Sequence, residues 1–223
     1  MNIKTEQIWD EVWQTGASGS FITRLRLIYN RMLGKLILPH VDIQGRSLEL
    51  GCGTAQLTLM VAPHIKEAVG LDISSEGLAI AAREQSRLHV VNTHFIKADV
   101  NDVPFKNEFD VVWSAGLIEH FFDRDIEIVQ QHIKAAKPGG VVVMSVPYAY
   151  SLHSLHYAIT RPAIMRRFWP WSQERNFQKF YSKRALRLLA RKIGLPYKVY
   201  FLPPWPIGLL LGIVVIQILK NKD

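Results

Sequence analysis

The sequence predicts an α/β fold: a single doubly wound, mostly parallel sheet of seven strands in one domain spanning residues 1–223. Three observations carry this. From Arg46 onward, β-rich runs at 46–50, 67–72, 91–96, 109–114 and 140–146 alternate with helical runs at 54–62, 75–87 and 125–136, a pattern that builds a sheet covered on both faces. The strands are near-continuous apolar runs, as strands buried on both faces must be. The first of them, Ser47-Leu48-Glu49-Leu50, turns through Gly51 and Gly53 directly into a helix, and ligands of open α/β sheets bind outside such carboxyl ends.

The elements follow in order. Thr5 to Trp13 and Phe21 to Leu38 show apolar residues at helical spacing, separated by Gly16-Ala17-Ser18-Gly19-Ser20. Pro63 ends the helix of 54–62, and Lys137-Pro138-Gly139-Gly140 makes a tight turn into a Val-rich strand. From Tyr148 to Tyr181 periodicity is weak, and aromatic, His and Arg residues crowd together. A helix then runs between Ser182, a good N-cap, and Gly194, a good residue to end on. Tyr197 to Phe201 reads as a strand, broken by Pro203-Pro204-Trp205-Pro206. Ile207 to Leu219 is a largely apolar run of 13 residues, well short of the roughly 20 that a membrane-spanning helix needs. Its β-branched core, Ile213 to Ile216, favours a buried strand, while the flanking Trp205, Lys220 and Lys222 suit a membrane-surface element.

Composition narrows the class. With 48% hydrophobic and 21% charged residues the chain is globular. Met1 to Trp13 lacks the apolar centre of a signal peptide, and the single Cys52 excludes an internal disulfide, so a cytoplasmic protein is expected. Charge is uneven: residues 1–150 hold 14 Lys and Arg against 17 Asp and Glu, whereas residues 151–223 hold 13 against 2. The two parts carry −3 and +11. The basic part is either the solvated face of a helix at 182–192 or a surface for phosphates, nucleic acid or anionic lipid.

Two further features belong to a ligand. Gly51 and Gly53 let the backbone turn and approach a bound molecule more closely than a Cβ would permit. Val69-Gly70-Leu71-Asp72 is a second apolar strand ending in a carboxylate about 20 residues on, where a ribose diol needs acceptors. With Ala98-Asp99, Phe109-Asp110-Val111-Val112 and Lys137-Pro138-Gly139-Gly140, these pieces resemble, in order and spacing across residues 45–147, a class I S-adenosylmethionine-dependent methyltransferase. Leu117-Ile118-Glu119-His120-Phe121 is similar to the branch that includes ubiquinone and menaquinone biosynthesis methyltransferases.

That resemblance implies a Rossmann-like methyltransferase fold, with a final antiparallel strand inserted between the fifth and sixth. It implies S-adenosylmethionine as cofactor, S-adenosylhomocysteine as product and no metal. Glu49, Gly51 and Gly53 would line the methionine moiety, with Ala115 and Leu117 near it; Asp72 would accept from the ribose hydroxyls, and Ile73 would also contact the cofactor. Asp99 and Val100 would hold the adenine, Asp99 being otherwise a turn carboxylate. A third glycine of the family is Ala55 here. His120 is the candidate base, its other role being to hold the loop at a helix start. Tyr148, His153, Tyr157, Arg161 and Trp169 are the candidate acceptor residues, in an aromatic lid that would otherwise form a satellite core. The acceptor is expected to be a small or lipid-like molecule methylated on oxygen or carbon, since the Asn/Asp-Pro-Pro-aromatic motif of exocyclic-amine methylation is absent after strand 109–114. Peripheral membrane contact through the basic part is a further expectation. RNA methylation and a cofactor-binding regulatory protein without turnover remain alternatives.

Overall fold

A computed structural model describes residues 3–14, 20–160, 178–202 and 212–222. Helices α1 (Ile3–Gln14) and α2 (Ser20–Ile37) lead into β1 (Arg46–Leu50), α3 (Gln56–Val61), β2 (Glu67–Asp72), α4 (Ser75–Arg87), β3 (Thr93–Lys97) and β4 (Phe109–Ala115). Then follow α5 (Asp125–Ala135), β5 (Ala136–Pro147), α6 (Leu152–Thr160), α7 (Lys183–Ile193), β6 (Tyr197–Phe201) and β7 (Ile213–Leu219).

The strands form one seven-stranded sheet in the order β3-β2-β1-β4-β5-β7-β6. Neighbours from β3 to β5 pair in parallel, and β7 runs antiparallel to both β5 and β6. The apolar run at the chain's end is therefore a strand over Ile213–Leu219, with Val214, Val215, Ile216 and Ile218 fully buried. Residues 207–211 lie outside the described residues. The strand replaces a membrane-surface element for this segment because both of its edges find partners.

Side chains alternate across the sheet, so each strand feeds two cores. Leu48, Leu50, Val112, Met144 and Ile216 pack with Ile128 and Val129 of α5 and Leu186 and Leu189 of α7. Val111, Trp113, Val143 and Val215 face the other way, onto Leu33 and Ile37 of α2 and Leu57 and Val61 of α3. The basic residues near Ser182 fall on the outer face of an amphipathic helix: Leu186, Leu189 and Ala190 are buried, while Arg184, Arg187 and Arg191 are exposed. Ser182 Oγ accepts from Ala185 N at the start of α7, and Gly194 ends it at φ 77°.

The ends of several elements shift by one or two residues, and two features differ more from the sequence expectation. Strand β5 begins at Ala136, which pairs with Phe109 before the register shifts between Phe109 and Val111. The Lys-Pro-Gly-Gly turn is thus an irregularity carried inside the strand. The weakly periodic stretch after Tyr148 contains helix α6, started by Ser151, whose Oγ accepts from Ser154 N at 3.1 Å.

Candidate active site

Sheet order reverses between β1 and β4, so their carboxyl ends diverge into a crevice, the topological switch point at which α/β sheets take ligands. The glycine turn sits there. Gly51 N and Cys52 N both donate to Leu71 O, at 2.8 and 3.1 Å, locking the turn to the end of β2. Gly51 has φ 68° and Gly53 φ 50°, the left-handed region that only glycine visits freely. A Cβ on Gly51 would lie 2.7 Å from Leu117 Cδ1, and one on Gly53 2.3 Å from the ring of Trp13. Ala55, in the third glycine's place, is itself left-handed at φ 54° and fully buried.

Two buried carboxyls border this turn, and a third follows β4. Glu49 ends β1, and its Oε2 accepts from Thr58 N at 3.0 Å and Thr58 Oγ1 at 2.5 Å. Burial pushes its pKa up to about 7 against the pull of those hydrogen bonds. Asp72 ends β2 and holds the loops in place: its Oδ2 accepts from Gly53 N at 2.6 Å and its Oδ1 from Ser74 N at 2.8 Å. Burial raises its pKa and the backbone donors oppose the rise. Each oxygen keeps acceptor capacity, because a carboxylate offers about four lone-pair sites. Glu119, in the short 3-10 turn after β4, is only 3% exposed. Its Oε2 has no hydrogen-bond partner among the described residues, and burial pushes its pKa up to about 8.

The other sequence-derived residues that the structure describes lie at the ends of β2, β3, β4 and β5 or in the segments that follow them. Ile73 is half-buried after β2 and Ala115 ends β4. Leu117 is buried against Gly51. Asp99 closes a turn beyond β3, where its Oδ1 accepts from Asn101 N at 2.9 Å, and Val100 is buried beside it. The His120 ring meets Trp9 edge-on, with centroids 5.0 Å apart. Tyr148, just past β5, stacks edge-on against Tyr150 and Phe201. His153 and Tyr157 belong to the backbone of α6, whereas Arg161 and Trp169 lie outside the described residues.

Several residues at the site were not singled out by the sequence. Helix α1 crosses the rim: Asp10 Oδ1 accepts from Ser74 Oγ at 2.5 Å and Glu76 N at 3.1 Å, and Glu6 pairs with Lys97 at 2.6 Å. Tyr29 of α2 bonds to Ser145 Oγ of β5. Burial raises the Tyr29 pKa, and Glu119 and Glu49 add to the rise. Nothing in the helical periodicity of 5–13 or 21–38 separates these residues from core positions. The Glu-His pair was the visible signal, and its Glu carries the more unusual environment. Among the described residues no group of His, Cys, Asp and Glu is arranged to hold a metal ion.

Comparison with known proteins agrees with this geometry. A methyltransferase domain family matches residues 48–140. A ubiquinone biosynthesis O-methyltransferase of Methylococcus capsulatus is 30% identical over 169 residues, 74% of this chain and 70% of that protein. A malonyl-[acyl-carrier protein] O-methyltransferase of Enterobacter lignolyticus is 32% identical over 114 residues, 51% of this chain and 43% of that protein. The chain spans about half the length of several of these relatives. Among solved structures, the DhpI–SAH complex superposes with a TM-score of 0.69 at 19% identity, covering 97% of each chain. Phosphoethanolamine N-methyltransferase 2 of Haemonchus contortus, in complex with S-adenosyl-L-methionine, gives 0.64 at 16% identity over 85% of this chain and 52% of that one. Switch-point crevice, glycine turn and strand-end carboxylates coincide with sequence kinship over most of the chain, and the protein belongs to the class I S-adenosylmethionine-dependent methyltransferases.

Proposed function

We propose that this protein transfers a methyl group from S-adenosylmethionine to an oxygen of a small-molecule acceptor. The observation that carries the reading is the meeting of Gly51, Gly53, Glu49 and Asp72 at the β1/β4 switch point. The cofactor fits these residues: two left-handed glycines present bare backbone at the mouth of the crevice, packed under Leu117 and Trp13, and buried carboxyls suit a cationic ligand. When bound, it supplies an electrophilic methyl group on a sulfonium, so the protein's task is to position reactants and exclude water.

Each chain residue then has a part. Glu49 with Gly51 and Gly53 lines the methionine end, flanked by Ala115 and Leu117. Asp72 and Ile73 receive the ribose, and Asp99 and Val100 the adenine. His120 stands on the acceptor side with Tyr148, and His153, Tyr157, Arg161 and Trp169 are proposed for the acceptor lid. The curated relatives support an oxygen acceptor, since ubiquinone biosynthesis and malonyl-[acyl-carrier protein] enzymes are O-methyltransferases by name. No helix among the described residues is long and apolar enough to cross a membrane. The exposed arginines of α7 are the proposed surface for any peripheral membrane contact.

The test is calorimetric titration of S-adenosylmethionine and S-adenosylhomocysteine into wild-type protein and Asp72→Asn, paired with labelled methyl transfer into a cell extract. Micromolar binding to the wild type, weakened at least tenfold in Asp72→Asn, is expected. Absence of binding to folded wild-type protein would overturn the reading.

A further inference from the structure

We propose that Glu119 is the carboxylate that faces the sulfonium and takes the proton of a hydroxyl acceptor. The inference rests on the methyl-transfer reading and adds the substrate class and the proton's destination. It starts from an anomaly: Glu119 is 3% exposed, and its Oε2 is without a hydrogen-bond partner among the described residues. An acid so buried costs stability unless a ligand completes it.

Its position says which ligand. Gly116, at φ 75°, follows β4, and a Cβ there would sit 3.2 Å from Glu119 Oε1. The carboxyl is therefore folded back onto the end of β4. Leu117, between them in sequence, packs on Gly51 of the cofactor turn. Tyr29 of α2, tied to Ser145 of β5, has its pKa raised first by burial and further by the charge of Glu119. Glu119 thus lies at the carboxyl end of β4, two residues beyond the Leu117 that packs on the cofactor turn.

The charged and titratable groups around it can be named. Tyr29 faces it from α2, with Glu49 of β1 beside that same phenol. Tyr181 faces it from the segment before α7, its hydroxyl donating to Asp125 of α5 at 3.0 Å, and Asp125 is ion-paired to Lys179 at 2.7 Å. His120 is the next residue, turned onto Trp9 of α1. Lys179 is committed to Asp125, so among the described residues no cation is paired with Glu119. Burial accordingly holds the carboxyl protonated up to about pH 8.

Charge balance then fixes the chemistry. A sulfonium entering beside Glu119 favours the ionised carboxylate, because a buried charge is tolerated when it is paired. In the transfer an oxygen lone pair of the acceptor forms the bond to the methyl carbon. The sulfur–carbon bond breaks with its electron pair remaining on sulfur, and the acceptor's O–H proton passes to Glu119. Sulfonium and carboxylate become thioether and carboxylic acid, so the buried site is neutral overall before and after. An acceptor that is already a carboxylate has no proton to give up, so it would leave Glu119 no part in the transfer and would compete with it for the same positive charge. A hydroxyl acceptor is the one this site balances.

The experiment measures protons rather than turnover. Both cofactors are titrated by calorimetry into wild-type protein and Glu119→Gln at pH 7, in phosphate and in Tris buffer, so that buffer ionisation heats report protons released. Wild-type protein is expected to release close to one proton more with S-adenosylmethionine than with S-adenosylhomocysteine. The excess is lost in Glu119→Gln, with the affinity for S-adenosylhomocysteine within threefold of wild type. An unchanged excess in Glu119→Gln overturns the proposal, while failure of both cofactors to bind folded wild type overturns the methyltransferase reading itself. If Glu119→Gln does not fold, infrared spectra of the wild type decide. A protonated-carboxyl band must vanish on adding S-adenosylmethionine and persist with S-adenosylhomocysteine. In labelled extract the product should be an alkali-stable ether, reduced at least a hundredfold in Glu119→Gln, and an alkali-labile ester would overturn the hydroxyl assignment.

Discussion

The glycine turn is constrained from two sides. Gly53 holds a left-handed backbone over which the Trp13 ring closes, and the same ring also covers Gly77, where a Cβ would lie 3.0 Å from its Nε1. Gly53→Ala therefore pays twice: about 1–2 kcal/mol for a left-handed alanine and typically 1–3 kcal/mol for forcing the ring aside. In a Trp13→Ala background the second cost disappears, so the two substitutions should couple by more than about 1 kcal/mol in a double-mutant cycle of urea unfolding. Additive effects would show that Trp13 does not press on the turn. The glycines and Asp72 were legible in the sequence because φ freedom and a strand-end carboxylate leave marks in residue type. Trp13, Asp10 and Tyr29 were not, since a helix-face Trp or Tyr looks the same whether it meets core or cofactor crevice. Glu119 stood in plain view as half of a Glu-His pair, but only burial and the lack of a partner distinguish it from its neighbour.

Strand β7 closes the sheet. It pairs with β5 over seven positions and with β6 over five, and without it β5 has an open edge and β6 no neighbour. Ile216, fully buried with Met144 and Val199 as its register partners, should cost about 2–5 kcal/mol as Ile216→Ala. Removing residues 212–223 should give insoluble protein, measured by the fraction remaining in the supernatant after expression, because an exposed apolar edge strand recruits other chains. A soluble, cofactor-binding truncation would refute that account. Most elements were readable from periodicity and caps, and the strand-to-helix alternation located β1 to β5 within a few residues. The start of β5 escaped because its Pro-Gly-Gly signals a turn while Ala136 still finds Phe109. Helix α6 escaped because its start depends on Ser151 and Ser154 bonding locally, a signal drowned by the aromatic residues that follow.

Across the whole molecule, buried titratable groups set how stability without cofactor depends on pH, and they pull in opposite directions. His132, fully buried in α5, has its pKa pushed down by burial to about 4 from 6.5. The unfolded chain takes up a proton there that the fold refuses, so this contribution is complete above pH 6.5 and is lost as pH falls toward 4. Glu49 and Glu119 behave oppositely, with folded values of about 7 and about 8 against 4.5. The fold keeps protons that the unfolded chain has released, so their contribution is complete below pH 4.5 and lost as pH rises through 7 and 8. Above pH 6.5 only the carboxyls act, and stability must fall with rising pH. Each retained proton is worth about 1.4 kcal/mol per pH unit, and about 2–4 °C of Tm accompanies each kcal/mol in a chain of this size. Scanning calorimetry of cofactor-free protein should therefore show Tm dropping by at least about 5 °C between pH 6.5 and 8. Glu119→Gln should recover much of that drop, leaving the share of Glu49. Saturating S-adenosylmethionine should do so in the wild type, because its positive charge favours the ionised carboxylates that the empty crevice disfavours. Equal slopes for wild type and Glu119→Gln would mean that the Glu119 carboxyl is already ionised in the cofactor-free fold.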